Sequence, residues 1–583
     1  MKRWLKYVKP YKKYFILGPL CMIIEVIGEV LMPKYFASII NTVNDGMGVS
    51  QIVGICALMI VTALLMLAGG VGGAYFGAKA AVNFAGDLRQ DIYKKIQSFS
   101  FANVDKFETG SLVTRLTNDV TQLQNFVNML LRMFLRSPGM LIGALIMAFL
   151  LSPSLSVIFA VIIPVVAVGI FAVVRVGFPR FSIMQKKIDV LNTNVQENLT
   201  NVRVIKSFVR EEHQKEKFYA ANKDLKASAI NALQVVLIMH PMVMLFMNIT
   251  TVLILWIGAW EVADGSLLVG DLTAFITYVT QILFSLMMVV MMFINSSRAL
   301  ASSKRISEVL DEIPDLNDLE AGEPQKKITE GKIEFKDVVF RYYKNSSQAV
   351  LQNVSFEILP GETVGIIGST GCGKSTLISL IPRFYDTDEG QVLVDGTDVR
   401  DYSLKNLRDG IGMVLQKNVL FSGTIYDNIR WGNDEADDEK IEEFADYAQA
   451  DLFIKGFNEG YETELGQGGA NLSGGQKQRL CITRALIKEP KILILDDSTS
   501  AVDTATEARI KDAFANKLKD MTKIIIAQRI SSVCDADKIV VMDEGRVVGI
   551  GTHAELMENS EEYREIYYSQ NEKEAEDSWR QEI

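Results

Sequence analysis

Gly368-Ser369-Thr370-Gly371-Cys372-Gly373-Lys374-Ser375-Thr376 decides how the rest of the chain is read. It fits the pattern G-x-x-x-x-G-K-[ST]; a β-rich run, Thr363-Val364-Gly365-Ile366-Ile367, precedes it, and an amphipathic helical run follows over 377–384. Strand, glycine loop and helix in that order are the context a phosphate-binding loop requires. The glycines let successive backbone N–H groups turn inward around a polyphosphate, and the helix N-terminus adds partial positive charge. Lys374 is then placed to reach the β and γ phosphates and Ser375 to hold Mg2+.

Working outward, Ile492-Leu493-Ile494-Leu495-Asp496-Asp497 reads as a buried parallel strand ending in acids. That arrangement supports Mg2+ beside a phosphate loop, which makes Asp496 a metal residue and the domain a P-loop ATPase using ATP and Mg2+. Between the two lies Leu472-Ser473-Gly474-Gly475-Gln476, followed by a helical run over 477–487. A serine and two glycines opening a helix make a second anion-binding end. One domain needs one phosphate cradle, so the second reads as a lid over a nucleotide held by another subunit, and a dimer is expected. Upstream, 332–336 alternates as a half-buried strand. Tyr342 follows it, where a ring could stack on a nucleotide base.

At 583 residues the chain is long enough for several domains. Mean hydropathy is +0.17, and the apolar residues are concentrated in the first 300 positions. Six nearly charge-free runs occur at about 15–40, 52–76, 129–151, 155–174, 232–260 and 267–294, and none long enough to cross a bilayer follows Asp311. The start carries Lys2, Arg3, Lys6, Lys9, Lys12 and Lys13 with no acid, which by the positive-inside rule holds the N-terminus in the cytoplasm. An even number of spans returns the C-terminal half to the cytoplasm, so the chain is expected as a multi-pass protein of the cell membrane. No cleavable signal is read at the start. Five unpaired cysteines and three histidines support neither a zinc site nor a disulfide framework. A net charge of −10 argues against nucleic acid as a partner.

Connections after spans one, three and five are short, whereas those after spans two and four are long, charged and helix-compatible (87–128 and 185–230). They are expected as helices running far beyond the bilayer, with corners at Lys106 to Leu112 and Ser207 to Glu212 that either touch the soluble half or serve as plain helix–turn–helix corners. Charge inside a span is costly and marks a functional candidate. Glu25 and Glu29 lie four apart in span one, as a cation-attracting patch facing a cavity or as partners of Arg132 or Arg136. Met239, Met242, Met244 and Met247 in span five, with Met287, Met288, Met291 and Met292 in span six, offer adaptable apolar surface for varied ligands or ordinary packing. Met287 and Met291 join the two glutamates as substrate candidates. Pro241 is expected to kink span five.

Six spans, the phosphate loop, Leu472 to Gln476 and Leu495-Asp496 together resemble an ATP-binding cassette (ABC) exporter half-transporter of the multidrug type, over almost the whole chain as far as Gly551-Thr552-His553. The fold this implies is multi-domain: an all-α six-helix transmembrane domain over 1–310, a linker over 311–330, an α/β P-loop ABC nucleotide-binding domain over 331–571 and a charged tail over 572–583. The resemblance makes Tyr342 the base-stacking aromatic and Gln416 a Mg2+-sensing glutamine. It makes Ser500-Ala501-Val502-Asp503 a loop crossing the dimer interface, and the segments around Thr109 and Phe208 coupling helices. A soluble chromosome-associated ATPase is excluded by the spans, and an importer is disfavoured by their fusion to the cassette.

Three departures from the family matter. Asp497 stands where hydrolytically competent members carry glutamate as general base, and one missing methylene withdraws the carboxylate by roughly 1.5 Å. Gln528, after Lys523-Ile524-Ile525-Ile526-Ala527, stands where the family has a switch histidine; an amide donates a hydrogen bond but carries no titrating proton. Gly466-Gln467-Gly468-Gly469 replaces Gly-Glu-Arg-Gly. With binding residues intact and chemical groups altered, this chain is expected to be the degenerate half of a heterodimeric exporter of hydrophobic or cationic small molecules, its intact signature serving a partner's site. The alternatives are a homodimeric lipid or peptide exporter, or a regulatory, channel-like subunit.

Overall fold

The computed structural model describes residues 3–46, 49–316, 321–343, 346, 348–497 and 502–570. The tail over 572–583, and Ser500 and Ala501 of the expected interface loop, lie outside the described residues, as does the side chain of Met291. The chain divides into two compact units, one of Met1–Gln97 and Thr109–Asp311, the other of Ser98–Glu108 and the chain from Glu312 onward. The division differs from a single boundary at residue 310 in that 98–108 packs with the second unit.

The first unit is helical, and among the described residues six helices are long and apolar enough to cross a membrane: Leu5–Asn44, Val49–Gln97, Thr109–Leu151, Pro153–Thr200, Glu211–Ala263 and Val269–Val289. Their outer faces carry exposed Ile60, Leu64, Leu67, Val168 and Phe171, the surface expected of a lipid-facing helix. The first and second helices approach closely because the second presents Gly69, Gly73 and Gly77 at four-residue spacing. A Cβ on Gly69 would lie 2.7 Å from the Cys21 carbonyl oxygen, and one on Gly73 2.7 Å from the Met22 methyl. Small residues of this kind let transmembrane backbones meet. In the core Phe159 stacks on Phe275 with centroids 5.4 Å apart, and the buried Tyr278 hydroxyl donates to the Val30 carbonyl at 2.8 Å. Pro241 lies inside the unbroken helix Glu211–Ala263.

The long helices extend well beyond the apolar runs, as the helix-compatible composition of 87–128 and 185–230 leads one to expect. The corners fall a few residues earlier than expected, at Phe101–Phe107 and Val202–Ser207. Ser100 accepts from Asn103 N–H while the Asn103 side chain accepts from Ser100 N–H, a reciprocal cap that starts the first corner helix upstream of Lys106. A residue of positive φ closes each corner, Glu108 at 48° and Val209 at 51°.

In the second unit a six-stranded sheet has the spatial order Arg546–Gly551, Lys538–Asp543, Thr363–Gly368, Thr522–Ile526, Ile492–Asp496, Ile411–Val414, parallel throughout except for the edge strand Arg546–Gly551. Buried along their whole length, its central strands carry the apolar runs Ile492-Leu493-Ile494-Leu495 and Ile524-Ile525-Ile526. A four-stranded antiparallel sheet is ordered Leu351–Ile358, Ile333–Phe340, Glu389–Val394, Thr397–Asp398. The chain entering it is held by Asp395, whose carboxylate accepts the backbone N–H groups of Thr329, Glu330, Gly331 and Lys332 at 2.7 to 3.1 Å. Strand Thr363–Gly368 lies inside the large sheet, so the loop after it opens at the carboxyl edge, where ligands of open α/β sheets bind.

Candidate functional site

The loop after strand Thr363–Gly368 bends where only glycine fits. A Cβ on Gly368 would come 2.1 Å from the Met542 carbonyl oxygen, and Gly373, at φ 99°, has Leu351 Cδ2 and the Val350 carbonyl at 2.9 and 3.1 Å from the same position. Gly371, at φ 88°, has nothing within 4 Å, so the loop is crowded on its sheet side and open at its crest. Lys374 Nζ folds back to donate to the carbonyls of Gly368 and Ser369 at 2.9 and 2.8 Å, anchored across the loop it would share with a polyphosphate. Ser369, Thr370 and Cys372 complete the loop, and Lys374 opens helix Lys374–Leu380.

Strand Ile492–Asp496 brings its acids to the same edge. Ser375 Oγ donates to Asp496 Oδ1 at 3.1 Å. Burial holds the Asp496 carboxyl above the ordinary range, partly offset by that hydrogen bond. Asp497 breaks the strand at φ 49°, a left-handed conformation tolerated by aspartate. Its N–H donates to the Ile526 carbonyl at 3.0 Å. Its Oδ2 accepts from Gln528 Nε2 at 2.9 Å and from Gln416 Nε2 at 3.5 Å. Thus Ser375, Gln416, Asp496, Asp497 and Gln528, drawn from four segments of sequence, meet at one edge.

Tyr342 is half exposed and sits edge-on to Phe340 and Tyr385 at 5.0 and 5.2 Å, with its hydroxyl 3.0 Å from Thr376 Oγ1. This ring therefore borders the phosphate loop. At Leu472 to Gln476, Ser473 Oγ accepts from Gln476 N–H at 3.3 Å and Gln476 Oε1 accepts from Ser473 N–H at 2.9 Å, capping helix Gly474–Leu486 with Gly474 and Gly475 in its first turn. Among the described residues no hydrogen bond joins this signature to the phosphate loop of the same chain. In Gly466 to Gly469, which lacks the family's acid and base, Lys477 Nζ donates to the Gly468 carbonyl at 2.9 Å.

These residues fit ATP and Mg2+. The loop crest is open where a Cβ would project, a lysine amine is at hand, and a serine hydroxyl already points its proton at a buried carboxylate, leaving its oxygen for a cation. Mg2+ is held in such sites by one or two protein oxygens plus phosphate and water.

Residues 15–287 match the family model of the ABC transporter transmembrane region, and 351–500 match that of the ABC transporter. The chain is 39% identical over 581 residues to the uncharacterized ABC transporter ATP-binding protein YfiB of Bacillus subtilis, covering 99% of this chain and 100% of that one. The chain belongs to the ABC exporter half-transporters. The half-transporter is also 34% identical over 582 residues to the putative multidrug export ATP-binding/permease protein YgaD of Bacillus subtilis, covering 98% and 99% of the two chains. It superposes on a bacterial Atm1-family ABC exporter with ATP bound at a TM-score of 0.78 and 25% identity, covering 96% and 98% of the two chains. Membership makes it an ATPase coupled to transport.

In this half-transporter the glutamates of span one do not form a free patch. Arg136 Nη1 pairs with Glu25 Oε1 at 3.1 Å and Nη2 with Glu29 Oε2 at 3.2 Å, the alternative that two acids beside two arginines left open. Met287 lies partly buried in helix Val269–Asp311. Two residues at the nucleotide site escape sequence reasoning. Tyr385 packs beside Tyr342 and donates its hydroxyl to Asp105 Oδ2 at 3.0 Å, next to the 4.3 Å stack of Phe101 on Phe384. Gln478 donates to the Asp497 carbonyl at 3.4 Å. Neither belongs to a spacing pattern, because each reaches its partner through tertiary packing.

Proposed function

We propose that this half-transporter drives ATP-powered export of hydrophobic or cationic small molecules across the cytoplasmic membrane as one half of a heterodimer, and that its own ATP site binds nucleotide but hydrolyses it slowly. The observation that carries the reading is the Asp497 carboxylate with amides of Gln528 and Gln416 as its donors. A general base works best when its carboxylate reaches the attacking water with proton affinity to spare. Here the acid is one methylene short, and its Oδ2 is already engaged by two amide donors. Capped by its own Gln476, Ser473 leaves the helix start at Gly474 and Gly475 formed, suited to close over a partner's nucleotide.

The cargo class rests on span one and on similarity to a putative multidrug exporter. Glu25 and Glu29 pair with Arg136, and Glu25 Oε2 is buried with no hydrogen-bond partner among the described residues. Methionines in spans five and six supply deformable apolar surface.

A homodimer is the second reading, in which the shorter acid still serves because position 497 keeps a carboxylate at the strand end beside Asp496. The test is the ATPase rate of the purified chain alone and co-expressed with its genomic neighbour, with and without a lipophilic cation. Negligible activity alone with substrate-stimulated activity in the pair supports the heterodimer. Brisk activity alone, lost in Asp497→Asn, establishes the homodimer instead.

A further inference from the structure

The backbone that carries Gln528 is held from outside the sheet. Beyond Ile526 the chain bends at Gln528 and Arg529, and Arg529 itself is extended, at φ −102° and ψ 131°. In such a chain the carbonyl before a residue and the N–H after it point to the same side, and a parallel neighbour satisfies both. At Arg529 one side chain meets them. Gln570 Nε2 donates to the Gln528 carbonyl at 2.8 Å, and Ile530 N–H donates to Gln570 Oε1 at 2.9 Å. A primary amide has the donor and acceptor of a peptide group, so Gln570 takes the place of a strand.

Gln570 ends helix Glu561–Gln570, and that helix is firmly seated. Tyr563 is fully buried with its hydroxyl 2.8 Å from His553 Nδ1, and Ile566 and Tyr567 pack against the larger core of the unit. We propose that Gln570 is a positioning residue for ATP hydrolysis: it clamps the chain around Arg529 so that the Gln528 amide rests on the Asp497 carboxylate, tying the C-terminal helix to the chemistry. The clamp rests on the reading of Asp497 and Gln528 as the groups beside the γ-phosphate. It does not depend on whether the site is slow or fast.

The experiment is single-turnover ATP hydrolysis by the full transporter in lipid nanodiscs, following the kinetic phase that disappears in Asp497→Asn. Gln570→Ala and Gln528→Ala are each expected to slow that phase about tenfold, the scale of a misplaced catalytic group, without changing the half-saturating ATP concentration. The double variant is expected to be no slower than Gln528→Ala, because the clamp acts only through that side chain. Gln570→Glu, which keeps the acceptor for Ile530 N–H but loses the donor to the Gln528 carbonyl, is expected to fall between, and it carries the comparison if Gln570→Ala melts early. Glu565→Ala, on the exposed side of the same helix, leaves the rate unchanged. Multiplying losses in the double variant, or an unchanged rate in both Gln570 variants, overturns the clamp alone. If no phase disappears in Asp497→Asn, the reading of Asp497 falls and the clamp with it.

Discussion

At residue scale the consequences concentrate on Asp497 and Gln528. Restoring the methylene in Asp497→Glu moves the carboxylate outward past its two amide donors, and turnover at this chain's site is expected to rise, by up to about 100-fold if reach is the dominant defect. Steady-state ATPase of the assembled transporter reads that gain directly. An amide at 528 has no proton to lose between pH 5 and 8, so the wild-type rate is expected to lack an imidazole limb there. Gln528→His introduces one: activity should change as the ring titrates near about pH 6.5, and a flat profile in that variant would show that position 528 does not face the reacting phosphate. The acid at 497 and the amide at 528 were legible from their distance behind strand ends. That they bond to each other was not, because the two strands pair side by side only in the folded sheet.

At the scale of elements, two contacts set stability. Asp395 accepts four consecutive backbone N–H groups and so organises the chain entering the antiparallel sheet. Asp395→Ala leaves those donors without their acceptor and is expected to cost about 1–3 kcal/mol, measured as a lower melting transition of the nucleotide-binding unit. In the membrane unit, a side chain on Gly69 meets the backbone of Cys21 rather than a yielding side chain. Gly69→Val is expected to destabilise the full transporter by about 1–3 kcal/mol, read by thermal melting in nanodiscs, whereas Gly86→Ala, where a Cβ would meet nothing within 4 Å, changes little. The apolar runs located all six long helices. They left the first corner a few residues late, because the cap that starts it is a reciprocal pair of short polar side chains, Ser100 and Asn103, with no hydrophobic signal.

For the whole molecule, the signature of this chain and its phosphate loop are separate structures, each formed and each locally satisfied. If the signature closes over a partner's nucleotide, Ser473→Arg in this chain is expected to abolish the fast turnover of the pair, while Lys374→Ala removes nucleotide from this chain's own loop and spares most of that turnover. Photolabelling with an azido-ATP analogue, scored chain by chain, separates the two. Equal loss of turnover in both variants would point to two equivalent sites and a homodimer.

The sequence by itself determined the six apolar helices, the strand–loop–helix that cradles phosphate, the signature at a helix start and the substitutions at 497 and 528, because each of these is local: a run, a spacing or a residue type next to a strand end. Tertiary structure alone decided which groups share an oxygen. It paired Arg136 with both glutamates of span one, brought Tyr385 to Tyr342, and set Gln570 against the chain that carries Gln528. Those partners lie 42 to 111 residues apart, and the physical reason is the same in each case: a side-chain contact depends on which elements pack together, which no period or motif within one element encodes.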